Sequence, residues 1–335
     1  MKQHILQLPA QYTQSFIYLD CGARGESSKP LLKAFSEPWY IGFEPDEGEC
    51  KKLSQQVKKG ISFFPVAVGR KAGSASLYIT RNPSCSSIFM PNREFFEKFF
   101  ECGPFFDILS TEDVQLVALD DYLPKQGVFD IDFLELDTQG SELDILVGAK
   151  KLLSSSVIGI RVEVEFSEMY RNQPLFGDID TFLRKQGFIL FDLDRYRLRR
   201  KSCPLNIQSH EQIIWGQALY LRDYNTLFAR DHVEKAKLIK LAIVASFYGF
   251  HSYAMEIIDF LFGQDQVLST QEKVKIVSAY NQYVNSLGNR WLVNLMFYLN
   301  HSFMKALFHK FGSIILKLEE SYLFVTKKQR YFWKD

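Results

Sequence analysis

The sequence predicts a mostly parallel α/β sheet with helices on both faces, followed by an all-helical C-terminal region. Three observations carry this prediction. Apolar runs that end in an acid and a turn occur at 16–20, 40–44 and 133–137. Helical patterns alternate with them, which is the rhythm of parallel strands joined by right-handed crossovers. Beyond about Leu227 the strand signals stop, and 233–262, 270–287 and 290–318 read as amphipathic helices.

Taken in order, 16–20 is a strand, 30–35 is helical in pattern, and 40–44 is the second strand. Residues 47–59 form a better helix, with Leu53 and Val57 spaced for one face. Residues 61–68 read as one short buried strand, and 73–80 as a hairpin strand after Gly69. The segment 81–113 interrupts the rhythm. Its Asn82-Pro83-Ser84-Cys85-Ser86-Ser87 has loop composition, and Phe95, Phe96, Phe99 and Phe100 recur at helical spacing, as local core or as a lid. The sheet is expected to resume with 114–119 and 132–137, then 158–166, a helix near 177–186, a strand at 188–193 and a last strand at 217–222. The composition change places a boundary between a domain of residues 1–226 and a helical region of residues 227–335. That region holds 14 basic and 9 acidic residues, about +5 against about −4 for the rest.

Bulk properties exclude several classes. Net charge is +1, so overall composition makes no case for nucleic acid. The five cysteines, Cys21, Cys50, Cys85, Cys102 and Cys203, are odd in number and unpaired in spacing. They fit a reduced, cytoplasmic chain better than a disulfide framework or a zinc site. No apolar run approaches the ~18 residues of a membrane span, and the N-terminus lacks a secretory pattern. The phosphate loop G-x-x-x-x-G-K-[ST], the nucleophile elbow G-x-S-x-G and H-E-x-x-H are absent.

Chemistry therefore concentrates at the strand ends, where open α/β sheets bind ligands. Asp20-Cys21-Gly22-Ala23-Arg24-Gly25 follows the first strand, and glycine there lets backbone approach a ligand, although a plain tight turn reads the same way. Glu44 ends the second strand about 22 residues after Gly22, where a ribose-binding acid belongs. Asp137 ends the central strand, and a buried acid is rare unless paired, bonded or functional. Glu142 is equally a ligand or a charge that complements a helix N-terminus. Arg161, Glu163 and Glu165 alternate on one strand face where a parallel sheet should be apolar. They form an internal Arg161–Glu163 pair or, with Asp137, a general base or a hard-metal site of oxygen ligands. The basic run 195–201 is a solvated hairpin edge or a contact for an anionic substrate.

Together, Asp137-Thr138-Gln139-Gly140-Ser141-Glu142 after an apolar strand, Phe43-Glu44-Pro45, Ser86-Ser87 before Pro91-Asn92, and Glu163-Val164-Glu165-Phe166 leading to Tyr170-Arg171-Asn172-Gln173-Pro174 resemble the FkbM-type methyltransferases. The resemblance runs over about 16–222. It implies the class I methyltransferase fold, a seven-stranded sheet with one antiparallel strand near an edge. It also implies S-adenosylmethionine as cofactor and O-methylation of a hydroxyl on a sugar, glycan or natural product.

On that resemblance, Asp20, Gly22, Ala23, Glu44, Ala67, Asp137, Gln139 and Glu142 bind or shape the cofactor site. Asp137, Glu163 and Glu165 are the catalytic candidates, and Ser86, Ser87, Tyr170 and Gln173 face the acceptor. Asp137 and Glu163 would hold a divalent metal if one is used. Two departures stand out: the first turn is short, and Glu135 takes the place of a lysine common before the central aspartate. The C-terminal helices are expected to form a homodimer, dock a partner or touch a membrane surface. The rival functions are a catalytically silent binding module in a glycan-assembly complex and an RNA methyltransferase.

Overall fold

The computed structural model describes residues 14–25, 29–55, 59–99, 102–228 and 235–263, together with parts of 272–282. Ten strands are formed among them: β1 (Gln14–Cys21), β2 (Glu37–Phe43), β3 (Ile61–Phe64), β4 (Ala67–Val68), β5 (Gly73–Thr80), β6 (Ile108–Val117), β7 (Phe133–Leu136), β8 (Gly159–Glu165), β9 (Phe188–Leu198) and β10 (Gln212–Arg222). The main sheet has seven strands in the order β3-β2-β1-β7-β8-β10-β9. All neighbours are parallel except β10, which runs antiparallel to both β8 and β9. This is the class I methyltransferase arrangement expected from the sequence, with its one antiparallel strand next to the edge.

The remaining strands make a second sheet, β4-β6-β5. Two sequence expectations are corrected here. Residues 61–68 are not one strand, because Pro65 has no N–H to continue the ladder and the chain crosses from β3 to β4. Residues 114–119 do not rejoin the main sheet, because 114–117 end β6, which pairs antiparallel with β5 and parallel with β4 and is exposed along its first six residues.

Helices α1 (Glu47–Gln55), α2 (Glu142–Gly148), α3 (Lys150–Ser155) and α4 (Phe176–Lys185) connect the main-sheet strands. One sheet face carries Leu19, Cys21, Leu134, Leu136, Ile160, Val162 and Val164, all buried, against Ile145, Leu146, Leu153, Ile179 and Leu183. Because side chains alternate along a strand, the intervening residues populate the other face. There Phe16, Tyr18, Asp20, Phe133, Glu135, Arg161, Glu163 and Glu165 lie side by side. The β1–β2 connection, which reads as helical at 30–35, is a short 3₁₀ helix (Pro30–Ala34), after which Phe35 stacks on Phe16 at 3.8 Å between ring centroids.

The cover comes from the far end of the chain. The pattern 233–262 resolves into α5 (Lys235–Phe247) and α6 (His251–Gly263), broken at Gly249 with φ +87°. In α5, residues 237–246 are all buried, as expected of a helix apolar around most of its circumference. Its two buried lysines converge on Asp132, which is fully buried: Lys237 Nζ lies 2.7 Å and Lys240 Nζ 2.9 Å from the carboxylate. The Ile17 N–H donates to the same carboxylate at 2.9 Å. Tyr248 then stacks on Phe133 at 5.9 Å between ring centroids.

By contact density the chain divides into Met1–Ala279 and Tyr280–Asp335. The composition change at 226/227 lies inside the first unit. The helical pattern 290–318, and with it the expected dimer or membrane role, falls outside the described residues. No described helix is long and apolar enough to cross a membrane.

Candidate active site

Strand ends 21, 43, 64 and 136 are stitched together by backbone bonds. The N–H groups of Gly22 and Ala23 both donate to Phe43 O at 3.0 Å, Glu44 N–H donates to Phe64 O at 3.1 Å, and Asp137 N–H donates to Cys21 O at 3.0 Å. Gly22 is held at φ +89°, and a Cβ there would lie 2.0 Å from the Asp137 carbonyl oxygen. Only glycine fits that position. The result is a cleft of about 240 Å³ over the carboxyl ends of β1, β2 and β7, walled on its far side by the second sheet and the 83–88 loop. Of the residues nominated from sequence, Gly22, Glu44, Ala67, Ser86, Ser87, Asp137 and Gln139 line it. Ala23 is buried beside them.

Glu44 sits in the cleft wall, 3 % exposed, and its Oε1 accepts from the Asp46 N–H at 2.9 Å. Burial raises its pKa, and Arg24 at 3.5 Å offsets part of that. Glu142, at the head of α2, is used within its own loop. Its carboxylate accepts from the N–H and hydroxyl of Thr138 at 2.7 and 2.9 Å and from the Gly140 N–H at 2.9 Å. Burial pushes it up to about 7. It therefore shapes the turn that carries Gln139, whose own φ of +60° is unusual for a residue with a side chain.

Gln139 is the joint of the site. Its side-chain amide donates to Asp137 Oδ1 at 2.7 Å and to Glu163, while its Oε1 accepts from the Tyr170 hydroxyl at 2.9 Å. Its carbonyl accepts from Ser87 Oγ at 2.7 Å. Gln217, on β10 opposite Glu163, donates to the other Asp137 oxygen at 3.2 Å. Asp137 is raised by burial, with Gln139 countering. Glu163 and Glu165 are raised well above the carboxylate range, first by burial and then by neighbouring carboxylates. Both oxygens of Glu165, Nε2 of Gln173 and Oε1 of Gln217 are buried without a hydrogen-bond partner. Buried polar atoms are normally satisfied, so this group stands out. The Asp137–Glu163 pair can thus hold one shared proton and receive another, which is the requirement of a general base in a dry site.

Glu142, Glu163, Glu165, Tyr170 and Gln173 are not among the residues that line the cleft, and Asp20 and Arg161 are engaged away from it. Asp20 is used elsewhere: its carboxylate accepts from the Tyr40 hydroxyl at 2.6 Å and lies 2.9 Å from Lys29 Nζ. Arg161 does not pair with Glu163. It sits opposite Glu135 in register and bonds it at 2.9 Å. Lys29 also reaches Glu135 at 2.7 Å, so the acid that replaces the expected lysine has two cations of its own. Sequence reasoning missed Lys29, which lies in the loop after the first turn and carries no periodic signal. As for a metal, no group of three or more histidine, cysteine or acidic side chains among the described residues is arranged to hold an ion.

Residues 20–190, about half of the chain, match the methyltransferase FkbM domain family. The chain belongs to this family. Among solved structures, the FkbM chain resembles a methyltransferase FkbM from Methylobacillus flagellatus KT, with 15% identity, TM-score 0.35, and 62% of this chain and 43% of that one covered. It also resembles the magnesium protoporphyrin IX methyltransferase of Synechocystis PCC 6803 with bound SAM (12%, 0.33, 62% and 71%). A third is the precorrin-6y C5,15-methyltransferase of Geobacter metallireducens GS-15 (11%, 0.31, 64% and 86%). The chain spans less than half the length of the first of these. No curated protein matches it.

Proposed function

We propose that this FkbM domain binds S-adenosylmethionine in the β1–β2–β7 cleft and methylates a hydroxyl of a sugar or glycan acceptor in the cytoplasm. The single observation behind this reading is the shared cleft of Gly22, Glu44 and Asp137. The residues fit the cofactor. Gly22 lets the ends of β1 and β7 close against each other where a Cβ would strike the Asp137 carbonyl, and Glu44 presents to the cleft a carboxylate that can accept from both ribose hydroxyls. The acid-rich floor at Asp137 suits a cation. When bound, the cofactor supplies a methyl group already activated toward a nucleophile.

The chain's own contribution is alignment and proton handling. Asp137, fixed by Gln139 and Gln217, holds the acceptor hydroxyl and takes its proton, and Glu163 shares the resulting load. Tyr170 and Ser87 lock Gln139, so the carboxylates do not reorganise as the reaction proceeds. Pre-set orientation can be worth about 7–11 kcal/mol and a positioned base about 10²–10⁴-fold. Ser86 and Ser87 in the cleft lining, and the unsatisfied polar atoms of Glu165 and Gln173, favour a polyhydroxylated acceptor over an apolar one.

Isothermal titration with S-adenosylmethionine tests the cofactor reading. The wild-type chain is expected to bind, and Glu44→Gln to weaken binding about tenfold by losing charged hydrogen bonds to the ribose. No binding by the wild type would leave the silent-module alternative in its place. A tritiated-methyl assay comparing glycan and RNA acceptors tests the substrate class, and transfer to RNA alone would overturn it.

A further inference from the structure

The β9–β10 hairpin is absent from the chemistry above, yet its composition is biased. Residues 195–210 hold five arginines and lysines and no acid. Arg195, Arg197, Arg200 and Lys201 are exposed, as is Lys98 beside them. Among the described residues none of these five, nor Arg199, forms an ion pair with a carboxylate. Lys98 and Lys201 are adjacent because the Lys201 N–H donates to Lys98 O at 3.0 Å, and Arg200 lies over the Phe99 ring at 4.9 Å.

The hairpin tip is organised from within. One guanidinium nitrogen of Arg199 donates to Pro204 O and Ile207 O, each at 2.7 Å, and the Ile207 N–H returns to Pro204 O at 3.1 Å. This fixes a compact loop with Leu205 72 % and Ile207 50 % exposed. Two aliphatic side chains are thus presented to solvent by a hydrogen-bonded loop beside basic side chains that form no ion pair among the described residues. At its base a pocket of about 170 Å³ is lined by Arg199, Arg200, His210 and Gln212, with one acid, Glu211, among them. The Nε of Arg199 is buried there without an acceptor. A donor of this kind is costly to leave unsatisfied, and an anionic oxygen in the pocket would satisfy it.

The geometry points to the β9–β10 hairpin as a docking element for an anionic lipid surface, with Leu205 and Ile207 entering the acyl boundary and a headgroup phosphate at Arg199 and Arg200. A basic surface with apolar residues at its centre is the pattern of interfacial binding. A soluble polyanion would use the charges and leave the tip in water. The hairpin is tied to the rest of the fold: Leu198 and Trp215 pack on the Phe96, Phe99, Phe106 and Tyr170 cluster, so docking the hairpin orients the whole sheet.

Flotation of the full chain with phosphatidylcholine vesicles, with and without phosphatidylglycerol, reads this directly and needs no cofactor. The chain is expected to float only with the anionic vesicles and to be released by high salt. Leu205→Asp with Ile207→Asp is expected to lower the bound fraction about tenfold with an unchanged melting temperature. Arg195→Glu with Arg197→Glu is expected to abolish binding, because it inverts two of the attracting charges. A full chain that stays unbound overturns the inference, as does a tip variant that floats like wild type. Equal binding to heparin by the wild-type and tip-variant chains would reassign the patch to a soluble polyanion.

Discussion

At Asp20, Glu135 and Arg161, three neighbouring strands place ionisable side chains in register, and Lys29 closes the set with contacts of 2.9 and 2.7 Å to the two acids. Further along the same face, Glu163 and Glu165 are as buried as Asp20 and Glu135, and Asp137 lies half-buried in the cleft lining. No lysine or arginine pairs with them among the described residues, and the donors to Asp137 and Glu163 are the amides of Gln139 and Gln217. The first set is a compensated cluster: the cations hold Glu135 below its usual range despite burial, while Asp20 rises only to about 6. The second leaves its carboxylates raised and part of its polar surface without partners. The same strand face thus does two jobs, and the difference between them is the presence of cations rather than the presence of acids. A buried acid marks a candidate site only when its neutralising partner is missing.

The comparison breaks most visibly at Asp137. Asp137→Asn removes the proton acceptor but keeps its shape, so methyl transfer is expected to fall about 10²–10⁴-fold while the melting temperature is nearly unchanged. Loss of folding together with activity would place Asp137 with the structural set instead. Lys29→Met tests the other half. It leaves Asp20 and Glu135 buried without their shared cation, and the expected cost is about 3 kcal/mol in chemical denaturation. A variant as stable as wild type would show the cluster to be incidental.

Glu165→Gln sharpens the contrast through pH. A carboxyl whose pKa is raised in the folded state binds its proton more tightly there than in the unfolded chain. Its contribution to stability is therefore full below the unfolded value and is lost as pH rises toward the folded one. The amide does not titrate, so it removes the cost of ionising a buried group. The gap between variant and wild type is expected to widen in the variant's favour by about 1.4 kcal/mol per pH unit above pH ~4.5. Parallel stability–pH curves would show Glu165 to be charged in the fold.

How far this was legible in the sequence follows from the range of the signals. Strand ends at 20, 44 and 137 were readable because an apolar run, an acid and a glycine are local. The alternation of Arg161, Glu163 and Glu165 marked an unusual face for the same reason. Partner choice was not readable. Arg161 meets Glu135 because β7 and β8 pair in a particular register, and Asp20 turns to Tyr40 and Lys29 because residues nine to twenty positions away fold over it. The displaced strands have a similar cause. The apolar run 61–68 looks continuous, and only the missing N–H of Pro65 hints that the chain changes sheets.

Helix α5 has a bearing on synthesis that its packing alone does not state. The face of the sheet that holds Tyr18, Phe133 and Asp132 is completed by residues some hundred positions downstream, through Lys237 and Lys240. A growing polypeptide released from the ribosome tunnel only as far as β10 would have every strand of the sheet but an open, charged flank. Until α5 emerges, Asp132 has no counter-ion and the aromatic surface beside it is free to meet other chains. The vulnerable window in this protein's birth is therefore late, after the catalytic strands are already made.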